Sequence, residues 1–207
     1  MANKDKLIDK RNIFLYGKHL VLKILTEDDI FNSNWYGWFN DEEATANMQK
    51  HYFPNSLENQ LEFFNSLKRE TNKIQLGIIP NGENVIKGIV SLQNIDYINS
   101  NAEISIIIGE PEFRKLIIAQ EAMQLMIDHA FFTLNLHKIY GGYIETLKDW
   151  GLFLRKRFCF CDEGLLRKHV FINGKYMNVF NIGLLKDDYI SHINNSSFGV
   201  KNPSILT

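Results

Sequence analysis

The middle of the chain limits the fold more than any other part. Three short runs rich in branched apolar residues, 74–79, 85–92 and 102–108, follow one another across brief connections, and a long helical pattern over 113–134 comes next. Pro80-Asn81-Gly82-Glu83 and the polar 94–101 stretch, with Asn99-Ser100-Asn101, favour turns. Connections this short make successive strands antiparallel. A helix after the third run returns the chain to the sheet as a parallel neighbour, since a parallel pair needs a crossover. In the helical pattern Ile118, Ala122, Leu125 or Met126, and His129 recur on one side, with Gln120, Gln124 and Asp128 on the solvated side.

The flanks extend this plan. Residues 19–25 (HLVLKIL) alternate loosely and make the first expected strand. Thr26 can cap the free amides of a helix, and Glu27, Asp28 and Asp29 suit its positive end. An aromatic segment broken by a turn, 34–41 (NWYGWFND), precedes a helix over 57–69 with Leu57, Leu61, Phe64 and Leu67 on one face. Downstream, 137–144 reads as a strand, 148–156 as a short helix and 158–171 as a strand. Asn173-Gly174 then turns the chain into a partner strand over 175–185. The order β-α-α-β-β-β-α-β-α-β-β is a mixed, mostly antiparallel central sheet flanked by helices, in the α/β (α+β) class.

Composition narrows the function. With 207 residues, 45% of them hydrophobic, the chain suits one core. A single domain is expected over 13–189, with a flexible extension at 1–12 and a loosely held polar tail at 190–207. Lys and Arg number 23 against 24 Asp and Glu, so no excess positive charge is available for a nucleic-acid backbone. No apolar run approaches the ~20 residues that span a bilayer, and MANKDKLIDKRN lacks the apolar centre of a signal peptide. A cytoplasmic protein without a membrane partner is the expectation. Cys159 and Cys161 are too few and too close for a disulfide framework or a metal site, and are expected to be buried thiols. No His/Cys/Asp/Glu spacing suggests a metal.

The stretch AEISIIIGEPEFRKLIIAQEA (102–122) resembles the central strand, pyrophosphate loop and helix of GNAT acetyltransferases. Arg114 and Ala119 fit the family's loop pattern, and Ile117 stands where that pattern has glycine. Residues 15–29 (LYGKHLVLKILTEDD) resemble the opening strand and helix of a branch that contains ribosomal-protein alanine, spermidine and amino-sugar acetyltransferases. Trp38-Phe-Asn-Asp41 is similar to its W-x-N-D segment, and 162–189 to its final hairpin. The resemblance covers roughly residues 15–189. It implies acetyl-CoA as co-substrate, held by Ile106, Ile107 and Ile108 of the strand and by Arg114, Lys115, Leu116, Ile117, Ile118 and Ala119 of the loop and helix. Thr146 and Asp149 fall on the family's pantetheine-holding segment. Phe153 aligns with the tyrosine that many members use to protonate the leaving thiolate.

The chemistry so implied is attack of a neutral amine on a thioester, which needs a proton acceptor and a donor to the thioester oxygen. The resemblance makes Glu103 the base, with a surface glutamate as the alternative, and places the oxygen donor at a backbone amide near Ile107 or Ile108. Trp35, Trp38, Asn40, His51 and Tyr52 are candidates for the acceptor pocket, although such aromatics also serve to pack a helix onto the core. The expected acceptor is a small-molecule amine, foremost a nucleotide-linked amino sugar. A ribosomal-protein N-terminus, a binding protein without turnover, and a protein that forms a homodimer through a sheet edge or the aromatic segment remain open.

Overall fold

The computed structural model describes residues 9–46 and 53–195. Its strands are β1 (Ile13–Tyr16), β2 (Leu20–Ile24), β3 (Ile74–Pro80), β4 (Gly88–Asp96), β5 (Asn101–Ile108), β6 (Lys138–Ile144), β7 (Cys161–Ile172) and β8 (Lys175–Leu185). The helices are α1 (Glu27–Asn32), α2 (Glu42–Thr45), α3 (Leu57–Leu67), α4 (Leu116–Asp128), α5 (Lys148–Phe158) and α6 (Lys186–Asn195). The strands make one mostly antiparallel sheet in the order β1-β2-β3-β4-β5-β6-β8-β7, with β5 and β6 parallel. That is the expected fold class. Among the described residues no helix is long and apolar enough to cross a membrane.

The described residues group into two compact units: one runs up to Asn94 and includes Ile104–Ile127, the other has Ile95–Glu103 and the residues from Asp128 on. In the first unit β1 to β4 form a meander, and α1 starts at a capping box of Thr26 and Asp29. Its core holds Leu25, Ile30, Trp35, Trp38, Phe64, Ile79, Ile86 and Ile89. Trp35 stands edge-on to Phe63 and Phe64, with ring centroids 6.3 and 6.4 Å apart, the geometry that aromatic quadrupoles favour.

In the second unit β6 pairs with β8 and β8 with β7. The β7–β8 turn is the expected Asn173-Gly174, with both residues at positive φ (49° and 77°). Asn tolerates that region and Gly enters it freely, which gives the twist a tight hairpin needs. Cys159, at φ 69°, closes α5 in the left-handed conformation. A π-helical turn, His129–Thr133, follows α4.

Several elements differ from the sequence reading. β1 is an additional edge strand: half-buried and exposed positions alternate along it, but all four residues, Ile-Phe-Leu-Tyr, are apolar, so the sequence shows no alternation. The strand expected over 158–171 begins at Cys161, because α5 runs through Phe158. Cys161 is exposed and Cys159 only half-buried, so the expectation of two buried thiols is corrected: the first ends a helix and the second opens an edge strand. Residues 190–195, expected in a loosely held tail, belong to α6. That helix is anchored by the fully buried Tyr189, whose hydroxyl donates to Asp128 at 2.6 Å.

Candidate active site

In the first unit β5 delivers the chain into a loop that is fastened from several sides. The amide of Gly109 donates to the Lys87 carbonyl at 3.0 Å. The Trp38 indole lies against Gly109, and its Nε1 donates to Glu110 at 3.0 Å. Phe113 packs under the Lys87 ammonium, 5.1 Å from the ring centre, and Lys87 also pairs with Glu83. Arg114 donates to the carbonyls of Ile108 and Gly109 at 3.3 and 3.2 Å and to Glu43 at 3.0 Å. The arginine expected at a pyrophosphate therefore braces the loop.

The loop ends where α4 opens. The Lys115 carbonyl accepts from the amides of Ile118 and Ala119, so the amides of Leu116 and Ile117 precede the first full helical bond. No acid lies in the first turn of α4. Lys115, Leu116 and Ile117 are exposed, Ile118 is buried and Ala119 half-buried. Amides at the positive end of a helix, with a lysine beside them, suit a diphosphate. Ile117 keeps ordinary negative φ, so the residue in the family's glycine place imposes no backbone strain, and its side chain projects toward solvent. Ile106, Ile107 and Ile108 are half-buried along β5.

In the second unit the half-buried Glu103 is paired with Tyr140, and this is the last rung of the parallel β5–β6 ladder. Partners on one rung point their side chains to the same face of a sheet. The other rung partner of Tyr140 is Gly183 of β8, and the Glu163 carboxylate fills the space that a side chain at Gly183 would take. Glu163 is the extra residue of a bulge between Asp162 and Gly164, and it pairs with Lys138 at 2.7 Å. Bulges re-aim side chains in this way. Burial, then the charges of Glu103 and Asp96, hold the Tyr140 proton more tightly than an ordinary phenol's.

Thr146 is exposed on the turn Glu145–Leu147, and Asp149 is exposed in the first turn of α5. Phe153 stacks on Trp150 at 5.2 Å and meets Phe158 edge-on, an apolar setting with no proton to give. The acceptor-pocket residues need correction. Trp35 and Trp38 are core residues at 0% and 1% exposure, so neither ring face is open to a ligand. Asn40 exchanges two hydrogen bonds with the Asn55 backbone, at 2.6 and 2.7 Å, which occupies its amide. His51 and Tyr52 lie outside the described residues.

Tyr140, Asp96, Lys138 and Glu163 were not among the residues singled out from the sequence. The parallel crossover was legible, but the register that sets Tyr140 beside Glu103 and the bulge that lays Glu163 over Gly183 are tertiary features.

The family model described as "Acetyltransferase (GNAT) domain" matches residues 19–146. The spermidine N(1)-acetyltransferase of Vibrio cholerae is 32% identical over 114 residues, which make 55% of this chain and 65% of that enzyme, so the match spans under two thirds of the relative's length. An uncharacterized N-acetyltransferase, p20, of Bacillus licheniformis is 30% identical over 84% of this chain and 97% of its own. The crystal structure of Vibrio cholerae spermidine N-acetyltransferase in complex with CoA and spermine superposes with a TM-score of 0.73 at 26% identity, covering 84% of this chain and 99% of that one. With the loop and helix of 109–119 in place and a family model covering most of the chain, this protein belongs to the GNAT acetyltransferase family.

Proposed function

We propose that this protein is an N-acetyltransferase that moves an acetyl group from acetyl-CoA to a primary amine of a small cationic acceptor, a polyamine of the spermidine class. The observation that carries the reading is the opening of α4. The amides of Leu116 and Ile117 lack intrahelical partners there, Lys115 stands beside them, and no acid occupies the first turn. Those groups hold the diphosphate of the co-substrate. Thr146 and Asp149 hold the pantetheine arm.

The chemistry requires a neutral amine, because an ammonium has no lone pair to attack with. Glu103 takes the ammonium proton, directly or through water. An amide at Ile107 or Ile108 donates to the thioester oxygen as the new C–N bond forms and negative charge gathers there. The C–S bond then breaks and the thiolate leaves. Phe153 cannot protonate it, and the thiolate takes up the proton that the acylated nitrogen sheds as it becomes an amide.

Charge supports this acceptor. The indoles of Trp35 and Trp38, expected to stack on a nucleotide or sugar ring, are buried, which removes that support for an amino-sugar nucleotide. The face around Tyr140 carries Glu103 and Glu163, with Lys138 neutralising Glu163, and Asp96 adds negative charge from the end of β4. Carboxylates attract a polycation, and the spermidine acetyltransferases among the relatives point the same way. Thiol release from acetyl-CoA, measured with spermidine, a nucleotide-linked amino sugar and an N-terminal peptide in parallel, tests the reading. Spermidine is expected to give the highest kcat/KM. Preference for the sugar or the peptide would replace the acceptor, and binding of acetyl-CoA without release of thiol for any amine would leave a binding protein.

A further inference from the structure

Tyr140 sits at a singular place in the second unit. It occupies the last rung of the β5–β6 ladder, directly beside Glu103. Past this rung each backbone leaves the parallel pairing, so the two side chains stand where the ladder ends. Across the other edge of β6, Gly183 offers no side chain. Around the phenol stand Glu103 from β5, Lys138 from its own strand and Glu163, which the β7 bulge lays over Gly183, while Asp96, whose carboxylate accepts from Ile98 and Asn99 at the end of β4, acts on it through charge. Three of the four are acids, and Lys138 is bound to one of them at 2.7 Å. A protonated phenol is thus a neutral donor set among carboxylates.

We propose that Tyr140 is a positioning residue for the base: its phenol and the Glu103 carboxylate form one proton-sharing pair, bridged by water, and the phenol orients the carboxylate toward the amine. The inference rests on the acetyltransferase reading above. The surroundings favour it, because burial and the two acids keep the phenol protonated and able to donate.

Two measurements on the full chain decide the matter, with Tyr140→Phe, Glu103→Gln and the wild type compared by circular dichroism to establish that all fold alike. The first needs no turnover: NMR of ring-labelled tyrosine, with the Tyr140 signal identified by its loss in Tyr140→Phe. Tyr140 is expected to titrate above the ordinary phenol range in the wild type and to move to lower pH in Glu103→Gln. An unmoved titration overturns the pair, whether or not the protein is an enzyme. The second follows thiol release from acetyl-CoA with spermidine against pH. Tyr140→Phe is expected to lower kcat about 10- to 100-fold, to leave the KM for acetyl-CoA unchanged, and to remove the alkaline fall that ionisation of the phenol produces. A parallel rise in KM with an unchanged pH profile would overturn the positioning role. If no amine is acetylated, the activity proposed above fails, and the titration still decides the pair.

Discussion

The indole Nε1 of Trp38 donates to Glu110 at 3.0 Å, joining the aromatic segment to a loop 72 residues further along the chain. The ring also fills the space above Gly109, where an added Cβ would lie 2.0 Å from Cδ2 of Trp38. Neither partner can yield easily, since Trp38 is buried and the Gly109 amide is bound to Lys87. Gly109→Ala is therefore expected to lower stability by about 1–3 kcal/mol through overpacking, read as a lower urea midpoint. The loop should loosen with it, and acetyl-CoA should bind more weakly. An unchanged midpoint would show that the loop is not held against the indole.

Arg114 separates bracing from ligand binding. Glu43 is 76% exposed, so its ion pair with Arg114 should contribute under about 1 kcal/mol. The two carbonyls that accept from Arg114 at the end of β5 matter more, because they tie the loop to the strand. Glu43→Gln is expected to leave stability and acetyl-CoA affinity close to wild type. Arg114→Ala is expected to weaken acetyl-CoA binding about tenfold through the loosened loop, measured by calorimetry. Equal damage from both substitutions would assign the bracing to the ion pair instead.

Lys23 and Asp29 form a buried ion pair at 2.7 Å, and Asp29 also accepts from the Thr26 amide and hydroxyl at 2.7 and 2.9 Å. Removing the carboxylate would leave an ammonium in the interior without its partner and the start of α1 uncapped. Asp29→Ala should cost about 3–5 kcal/mol by denaturant unfolding. A loss below about 1 kcal/mol would mean that Lys23 escapes to solvent.

His129 is buried in the π-helical turn, and burial lowers its pKa from the ordinary 6.5. The folded state then holds the neutral imidazole, while the unfolded chain takes up a proton below pH 6.5. Stability from this residue is full above pH 6.5 and falls as pH drops from there toward the lowered folded value. Urea midpoints for wild type and His129→Gln should diverge in that window, with the variant less sensitive to acid. Parallel curves would remove His129 from the acid response.

The parts of the fold that local chemistry dictates were legible in the sequence. The meander, the crossover helix and the Asn173-Gly174 turn follow from short connections, apolar periodicity and turn residues. What long-range contacts decide was hidden. β1 turns into β2 at Gly17, beside the Glu121 carboxylate, which accepts from the His19 amide at 2.8 Å, 102 residues away. Trp35 and Trp38 resembled acceptor contacts until Phe63 and Phe64 closed over Trp35 and Glu110 took the Trp38 N–H. At the site, Glu103 and the α4 opening came into view through the family resemblance of residues 102–122. Tyr140 and Glu163 did not, since a register and a bulge place them.

Acetyl transfer to a polyamine, with Glu103 as the base, is the proposed reaction. Mass spectrometry of spermidine incubated with acetyl-CoA and the protein, with free thiol counted in the same samples, tests it most directly. Acetylspermidine and free CoA are expected in equal amounts, with the rate reduced on the order of 100-fold or more in Glu103→Gln. Full activity in Glu103→Gln would remove the base, and no acetylated product from spermidine would contradict the acceptor assignment.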